Sequence, residues 1–377
     1  MKGIKKIPHL TNTTVLVRAA LNAPVENGKV TNTFRLRQSL PTIEFLQKQG
    51  AKVVLIGHLG DKGTESLRPV FDALQTMLPR LEFCPVPLGK ETREAVSALK
   101  SGDILMLENL RWMKGEKDNS PAFAHELASL GDIFVQDSFD VCHRPHASVV
   151  GIPKYLPSYA GFLVEEEVKQ LTKALKPKHP ALAIIGGAKF FTKEPVLHAL
   201  LKNYNHVFVG GALANDLLKA EGLNVADSFV SNSPLGPMRA LAHNSRILLP
   251  TDARVAAPEA MQSESKIVEV QQVPEHTAML DVGPATIEML APYIKKAKTI
   301  LWNGPLGRYE HGYTSGTHDL ARIVQSSNAY SVLGGGDTVA ALDGLGLTKK
   351  FSFVSTGGGA MLDFLVSGTL PGLKALG

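Results

Sequence analysis

The sequence predicts an α/β protein of two doubly wound, parallel-sheet domains joined by a hinge helix. Three observations carry that expectation. Short β-branched apolar runs alternate with helical patterns from end to end, an order that demands parallel sheets covered by helices on both faces. The 377 residues are 44% hydrophobic and 20% charged, which is enough to build cores but too long a chain for a single one. In the second half, glycine clusters sit directly behind strand-like runs, where parallel sheets bind their ligands.

Val15–Val17 reads as the first strand. Leu36, Leu40, Ile43 and Leu46 then mark a helical stripe, closed by Gly50. Val53–Ile56, Ile104–Leu107 and Ile133–Val135 are further buried strands, each a short continuous apolar run. Val164, Val168, Leu171 and Leu175 lie on one face of a helix of about four turns, with Glu165, Glu166 and Glu167 on its polar side. Pro177 and Pro180 stop that helix. It divides the chain into a first domain, 1–159, a hinge helix, 160–176, and a second domain, 177–367. Second-half strands are Ala183–Ile185, His206–Val209, Ile247–Leu249, Thr299–Leu301, Ser331–Leu333 and Phe351–Val354. The segment 368–377 holds Pro371 and Gly372 and reads as a tail returning to the first domain.

Composition excludes several classes. The net charge of +5 comes from scattered Lys and Arg, not from basic clusters interleaved with aromatics, so no nucleic-acid partner is expected. The longest apolar runs, such as Ala181–Ile185, fall far short of the ~20 residues that span a bilayer. No apolar stretch follows Met1–Lys6, so no secretory signal is visible. Cys84 and Cys142 form neither a disulfide framework nor a metal spacing. A cytoplasmic protein without a membrane partner fits these features.

Five strand ends in the second half carry small residues: Gly186-Gly187-Ala188-Lys189, Gly210-Gly211, Asn303–Gly307, Gly334–Thr338 and Gly357–Gly359. Glycine there lets backbone N–H groups approach phosphate oxygens, and the next helix adds a favourable dipole. Neither G-x-G-x-x-G nor G-x-x-x-x-G-K-[ST] occurs, which removes the dinucleotide and P-loop fingerprints. Asp337 suits Mg²⁺ that arrives with a nucleotide, and it suits equally the N-cap of the next helix. In the first half, Arg18, Arg35, His58, Arg111, Arg144 and His146 fall near strand ends, and arginine matches the paired oxygens of carboxylates and phosphates. Trp112 and Trp302 read as core packing, and Cys142 as a small buried thiol. No Ser–His–Asp triad or zinc site is suggested.

Ten ordered segments then resemble the phosphoglycerate kinase family along almost the whole chain. They are VLVRAALNAP at Val15–Pro24, LPTIEFLQKQGAKVVLIGHLG at Leu40–Gly60, ENLR at Glu108–Arg111, DSFDVCHRPH at Asp137–His146 and AGFL at Ala160–Leu163. The others are IIGGAK at Ile184–Lys189, LPTD at Leu249–Asp252, WNGPLG at Trp302–Gly307, GGGDT at Gly334–Thr338 and STGGGA at Ser355–Ala360. The resemblance implies a monomeric, two-domain enzyme that uses Mg²⁺ to move a phosphoryl group between ATP and the carboxylate of 3-phosphoglycerate. It implies nucleotide-side roles for Gly187, Lys189, Lys193, Gly211, Pro305, Glu310, Gly334, Gly335, Gly336, Asp337 and Thr338. Within that set Glu310 faces the ribose, Asp337 the magnesium and Lys189 the travelling phosphoryl. Arg35, with Lys189 and Lys193, takes the catalytic part. Asn22, Arg35, His58, Arg111 and Arg144 make the acid-substrate cradle.

Departures from the family pattern gather on the acid side. Ala20 stands where R-x-D-x-N has aspartate, Asp61 where HLGRP has arginine, and Asp140-Val141 where FGT has glycine-threonine. Thr192 replaces an aspartate between the two lysines, and Ala212 replaces a third glycine. A lost hydrogen bond between charged partners costs ~1.5–3 kcal/mol, and an aspartate beside a phosphate adds repulsion. Lys62 is the cation placed to compensate. Two other readings follow from these changes: a kinase of a different carboxylic acid, and a nucleotide-binding regulator without catalysis.

Overall fold

Every run read as a buried strand pairs into one of two six-stranded parallel sheets. The computed structural model describes residues 1–232, 234–343 and 345–377. It divides into a unit of Met1–Lys169 with Thr369–Gly377 and a unit of Gln170–Gly368. The first sheet runs Leu81–Cys84, Ile104–Leu107, Lys52–Ile56, Thr14–Ala19, Ile133–Asp137 and Ser158–Ala160. The second runs Ile247–Leu248, His206–Val209, Ala181–Ile185, Thr299–Asn303, Tyr330–Gly334 and Phe353–Val354. Central strands are apolar without interruption because both faces are covered. Val15 pairs with Val53 on one side and Ile133 on the other, and its strand is buried from Val15 to Ala19.

Both sheets contain a point where the strand order reverses. In the first, Thr14–Ala19 lies beside Ile133–Asp137. In the second, Ala181–Ile185 lies beside Thr299–Asn303. The connections leave these neighbours in opposite directions, so a crevice opens beyond their carboxyl ends. That crevice is where each unit gathers its polar chemistry.

Helix Phe34–Lys48 buries Leu36, Ile43 and Leu46, and Gly50 ends it with φ 76° while its amide donates to the Gln47 carbonyl. Two of the motifs quoted above brace helices. Asp137 is fully buried and accepts from the Leu163 amide at 3.0 Å, at the start of helix Phe162–Leu175. Asp252 accepts from the Ala285 and Thr286 amides, capping helix Pro284–Lys296 from a distance.

Three expectations need correction. Glu167 is fully buried instead of lying on the polar side of its helix. The 368–377 segment is an element: Pro371 starts a helix to Ala375, Leu373 is buried, and the Gly372 amide donates to the Cys142 carbonyl at 2.8 Å. Trp112 is exposed, its indole N–H bonded to the Glu65 carbonyl, whereas Trp302 is buried as expected. A three-stranded antiparallel sheet, Lys266–Glu269, Asp252–Ala256 and Ala278–Val282, adds to the second unit.

The second switch point is built from backbone against backbone. The Gly186 amide donates to the Asn303 carbonyl at 2.8 Å and that of Gly187 to the Pro305 carbonyl at 3.0 Å. A Cβ on Gly304 would lie 2.3 Å from the Gly186 oxygen, and Gly304 has φ +97°, a conformation hostile to L side chains. Gly304→Ala is therefore expected to cost about 2–3 kcal/mol of stability. Denaturant unfolding with an unchanged m-value would show it, and a midpoint equal to that of the native chain would contradict it.

Candidate active site

In the first unit the switch point collects arginine around a buried network. Arg18, at the end of its strand, is almost completely buried, as are His58, Glu116 and Ser148. The Arg18 Nε donates to Ser148 Oγ at 3.0 Å. That hydroxyl donates in turn to Glu116 Oε1 at 2.6 Å, and the Ser148 amide donates to Oε2 at 2.9 Å. Burial lowers the Arg18 pKa, while Glu116 and Asp140 pull it back up, so the guanidinium keeps its charge. Its Nη2 meets His58 Nδ1 at 2.8 Å. A guanidinium can only donate, so Nδ1 accepts and the proton of the neutral ring sits on Nε2. Burial, then Arg18 and Arg111, push the His58 pKa well below its usual value. His146 falls to about 4 through burial and the charges of Arg111, Arg18, Arg144 and Lys117.

Around this base the remaining cations are tied together through main chain. Arg35 Nη1 donates to the Asn22 carbonyl at 2.8 Å. The Gly60 amide donates to Asn22 Oδ1 at 3.1 Å, and Arg111 Nη1 donates to the Gly60 carbonyl and to Asp61 Oδ1, the latter at 2.8 Å. The ENLR segment explains why Arg111 is fixed. Asn109 donates to the carbonyls of Leu59 and Glu65, and Glu108 accepts from the Leu67 amide. Both clamp the 59–67 loop, and Arg111 is left to face the site.

The second unit holds a cavity of about 580 Å³, whose walls include Gly187, Gly211, Pro305, Glu310 and Asp337 among the expected residues. Lys189, Lys193, Gly334, Gly335, Gly336 and Thr338 stand outside its lining. Lys189 is exposed, with φ 66° at the start of helix Phe190–Asn203. Lys193 Nζ donates to Asn303 Oδ1 at 3.2 Å. Burial lowers its pKa to about 8 against the opposing pull of Asp337. Thr338 Oγ1 accepts from the Gly304 amide at 2.8 Å. Asp337 lies inside the first turn of helix Gly336–Asp343, one residue past its start, so the capping reading gives way. Its Oδ1 accepts from Tyr309 Oη at 3.1 Å.

Arg18, Arg35, His58, Arg111, Arg144 and His146, read from the sequence as lying near strand ends, thus act on one another electrostatically. Lys62 is exposed and contributes to lowering the Glu65 pKa, while Lys117 Nζ donates to the Asp61 carbonyl. Sequence reasoning missed Glu116, Ser148, Asn109 and Lys117, and in the cavity Asn215, Phe229 and Asp281. Asp281 is a buried acid raised to about 7 by desolvation. The glycine amides of 186, 187 and 210 also differ from expectation: protein carbonyls take all three, so these glycines serve close backbone approach.

Comparison with known proteins agrees with this geometry. The family model described as phosphoglycerate kinase matches residues 4–368. The chain is similar to a phosphoglycerate kinase of Moorella thermoacetica, 42% identical over 383 residues covering 97% of each protein. It is 43% identical to one of Thermus thermophilus, over 96% of each. Among solved structures, phosphoglycerate kinase of Coxiella burnetii superposes with TM-score 0.83 at 37% identity, covering 99% of this chain and 98% of that one. That of Pyrococcus horikoshii gives 0.90 at 29% identity, covering 100% and 98%. With two parallel sheets, a basic cluster at one switch point, a glycine-walled cavity at the other, and family-wide similarity from residue 4 to 368, the chain belongs to the phosphoglycerate kinase family.

Proposed function

We propose that this chain transfers a phosphoryl group reversibly between ATP and the carboxylate of 3-phosphoglycerate, giving ADP and 1,3-bisphosphoglycerate. The observation that carries the reading is the first-unit cluster. Arg35 and Arg111 act on His58, which burial and Arg18 hold neutral, and Arg144 acts on the adjoining His146, a set of donors and charges suited to an acid that also bears a phosphate. Asn22, His58, Arg111 and Arg144 form the cradle, with His58 offering its Nε2 proton. Arg35 neutralises charge on the phosphoryl in transit, and Lys189 and Lys193 do so from the nucleotide side. Phosphoryl transfer asks for this kind of positioning and neutralisation more than for covalent help. Helix Phe162–Leu175 contains the division between the units, and we assign it the hinge.

Asp337 fits the magnesium that the family implies. Among the described residues no group of three or more His, Cys, Asp or Glu forms a metal cage, and Mg²⁺ delivered by a nucleotide needs only one or two carboxylates. When bound, the ion supplies neutralisation of phosphate oxygens. We further place the protein as a cytoplasmic monomer, on its family alone. Among the described residues no helix is long and apolar enough to cross a membrane.

Steady-state turnover of MgATP with 3-phosphoglycerate, trapping the acyl phosphate in a coupled assay, tests the reading. The native chain should turn over, and Arg35→Ala and Lys189→Ala should each lower kcat by about a hundredfold or more. Native silence toward 3-phosphoglycerate would sink it. A second expectation concerns Asp61. Its side chain is 97% exposed while that of Arg111 is 6% exposed, so water screens most of its repulsion. Asp61→Asn should lower KM for the acid by about two- to fivefold with kcat unchanged. An unchanged KM would mean that the Asp61 carboxylate does not compete for Arg111.

A further inference from the structure

We propose that Tyr309 is a positioning residue that orients the Asp337 carboxylate toward a nucleotide-borne cation. The inference rests on the reading of Asp337 given above and extends it to a residue that no family motif singled out. Tyr309 Oη donates to Asp337 Oδ1 at 3.1 Å, and both side chains line the same cavity. Asp337 is exposed in the first turn of its helix. An exposed carboxylate rotates freely unless a partner holds it, and holding one oxygen aims the other. A phenol is neutral at physiological pH, so it donates to the carboxylate without adding charge that would compete with a cation.

Tyr309 is itself held in place. It begins the short turn Tyr309–His311, its amide donating to the Gly307 carbonyl. The preceding Arg308 is anchored three ways: its amide to the Leu280 carbonyl at 2.9 Å, Nη1 to the Pro258 carbonyl at 2.7 Å, and Glu259 at 3.6 Å. Gly312 closes the turn with φ 82°, which glycine adopts without strain. One rigid turn therefore presents Tyr309 to the carboxylate and Glu310 to the cavity. The other charged groups acting near this pair are Lys193 and Glu310. Lys193 is bonded to Asn303, so the Tyr309 hydroxyl is the neutral contact that fixes Asp337.

Calorimetric titration of the full chain with ADP, with and without Mg²⁺, separates this role from a general pocket contact. Mg²⁺ should strengthen ADP binding to the native protein by some factor. Tyr309→Phe should leave metal-free ADP affinity unchanged and reduce that factor by about three- to tenfold, and Asp337→Ala should abolish it. A Phe variant that keeps the factor while Asp337→Ala loses it overturns the positioning role and leaves the Asp337 reading standing. An Asp337→Ala variant that keeps the factor overturns that reading, and the proposal with it. Equal loss of ADP affinity with and without Mg²⁺ in Tyr309→Phe would make the residue a nucleotide contact and refute its action through Asp337. Thermal unfolding of the free variants, expected within a degree or two of native, confirms that the fold is kept.

Discussion

The rest of the structure hangs on the close backbone contact and divergence that parallel sheets force at their switch points. All strands of a parallel sheet deliver their carboxyl ends to one edge. Where order reverses, two neighbouring strands send their loops apart, and the gap must be filled without orphaning polar groups. The second unit fills it with backbone: amides of Gly186 and Gly187 meet the carbonyls of Asn303 and Pro305. Only glycine permits that spacing, since a Cβ on Gly186 would sit 2.2 Å from the Pro305 oxygen. The first unit fills its gap with a charged side chain, Arg18, and then has to neutralise it.

That neutralisation explains the electrostatic pattern of the first unit. A buried guanidinium is costly unless a partner is supplied, and Glu116 supplies it through Ser148. The spare Arg18 donor fixes the His58 tautomer. With Arg18 compensated inside, Arg111 has exposed Asp61 as its ion-pair partner, and Arg35 and Arg144 have none among the described residues. Histidines 58 and 146 stay neutral first because they are buried and then because arginines act on them, so the site's charge does not depend on imidazole titration near neutral pH. A permanent positive site follows from a buried guanidinium that Glu116 compensates through the Ser148 hydroxyl.

Legibility in the sequence divides along the same physical lines. Central strands were visible because burial on both faces leaves continuous apolar runs, as in Ile104–Leu107. Edge strands Leu81–Cys84 and Ser158–Ala160 are short and only partly buried, so their pattern blends into loops. The antiparallel strands carry polar residues such as Lys266 and Glu269 and lack any local signal that sets them apart. Arginines near strand ends were readable as a site, because the strand ends themselves were readable. Glu116, Ser148 and Lys117 were not, since they come from a four-residue α-helix and a five-residue π-helix whose path only tertiary packing sets. Glu167 shows the limit of helical periodicity: three successive glutamates read as a solvated face, yet one of them is buried.

The altered acid pocket becomes intelligible once rate and affinity are assigned to different atoms. Ala20 is fully buried, and its amide donates to Ser39 Oγ at 3.2 Å, so the position keeps its part in the wall while offering the acid no side-chain contact. Asp61 takes one Arg111 donor, but its carboxylate stands in water, where a phosphate carrying more charge competes on favourable terms. Lys117, bonded to the Asp61 carbonyl, brings a further cation to the same loop. On the roles proposed for this pocket, these changes act on how tightly the acid is held. The groups assigned to the phosphoryl in transit are untouched: Arg35 remains fixed by Asn22, and Lys193 remains fixed by Asn303. Interactions made equally in ground and transition states set KM, and those strengthened only in the transition state set kcat. On the proposed roles, Ala20 and Asp61 therefore fall in the first class, and a weakened cradle is compatible with working phosphoryl transfer.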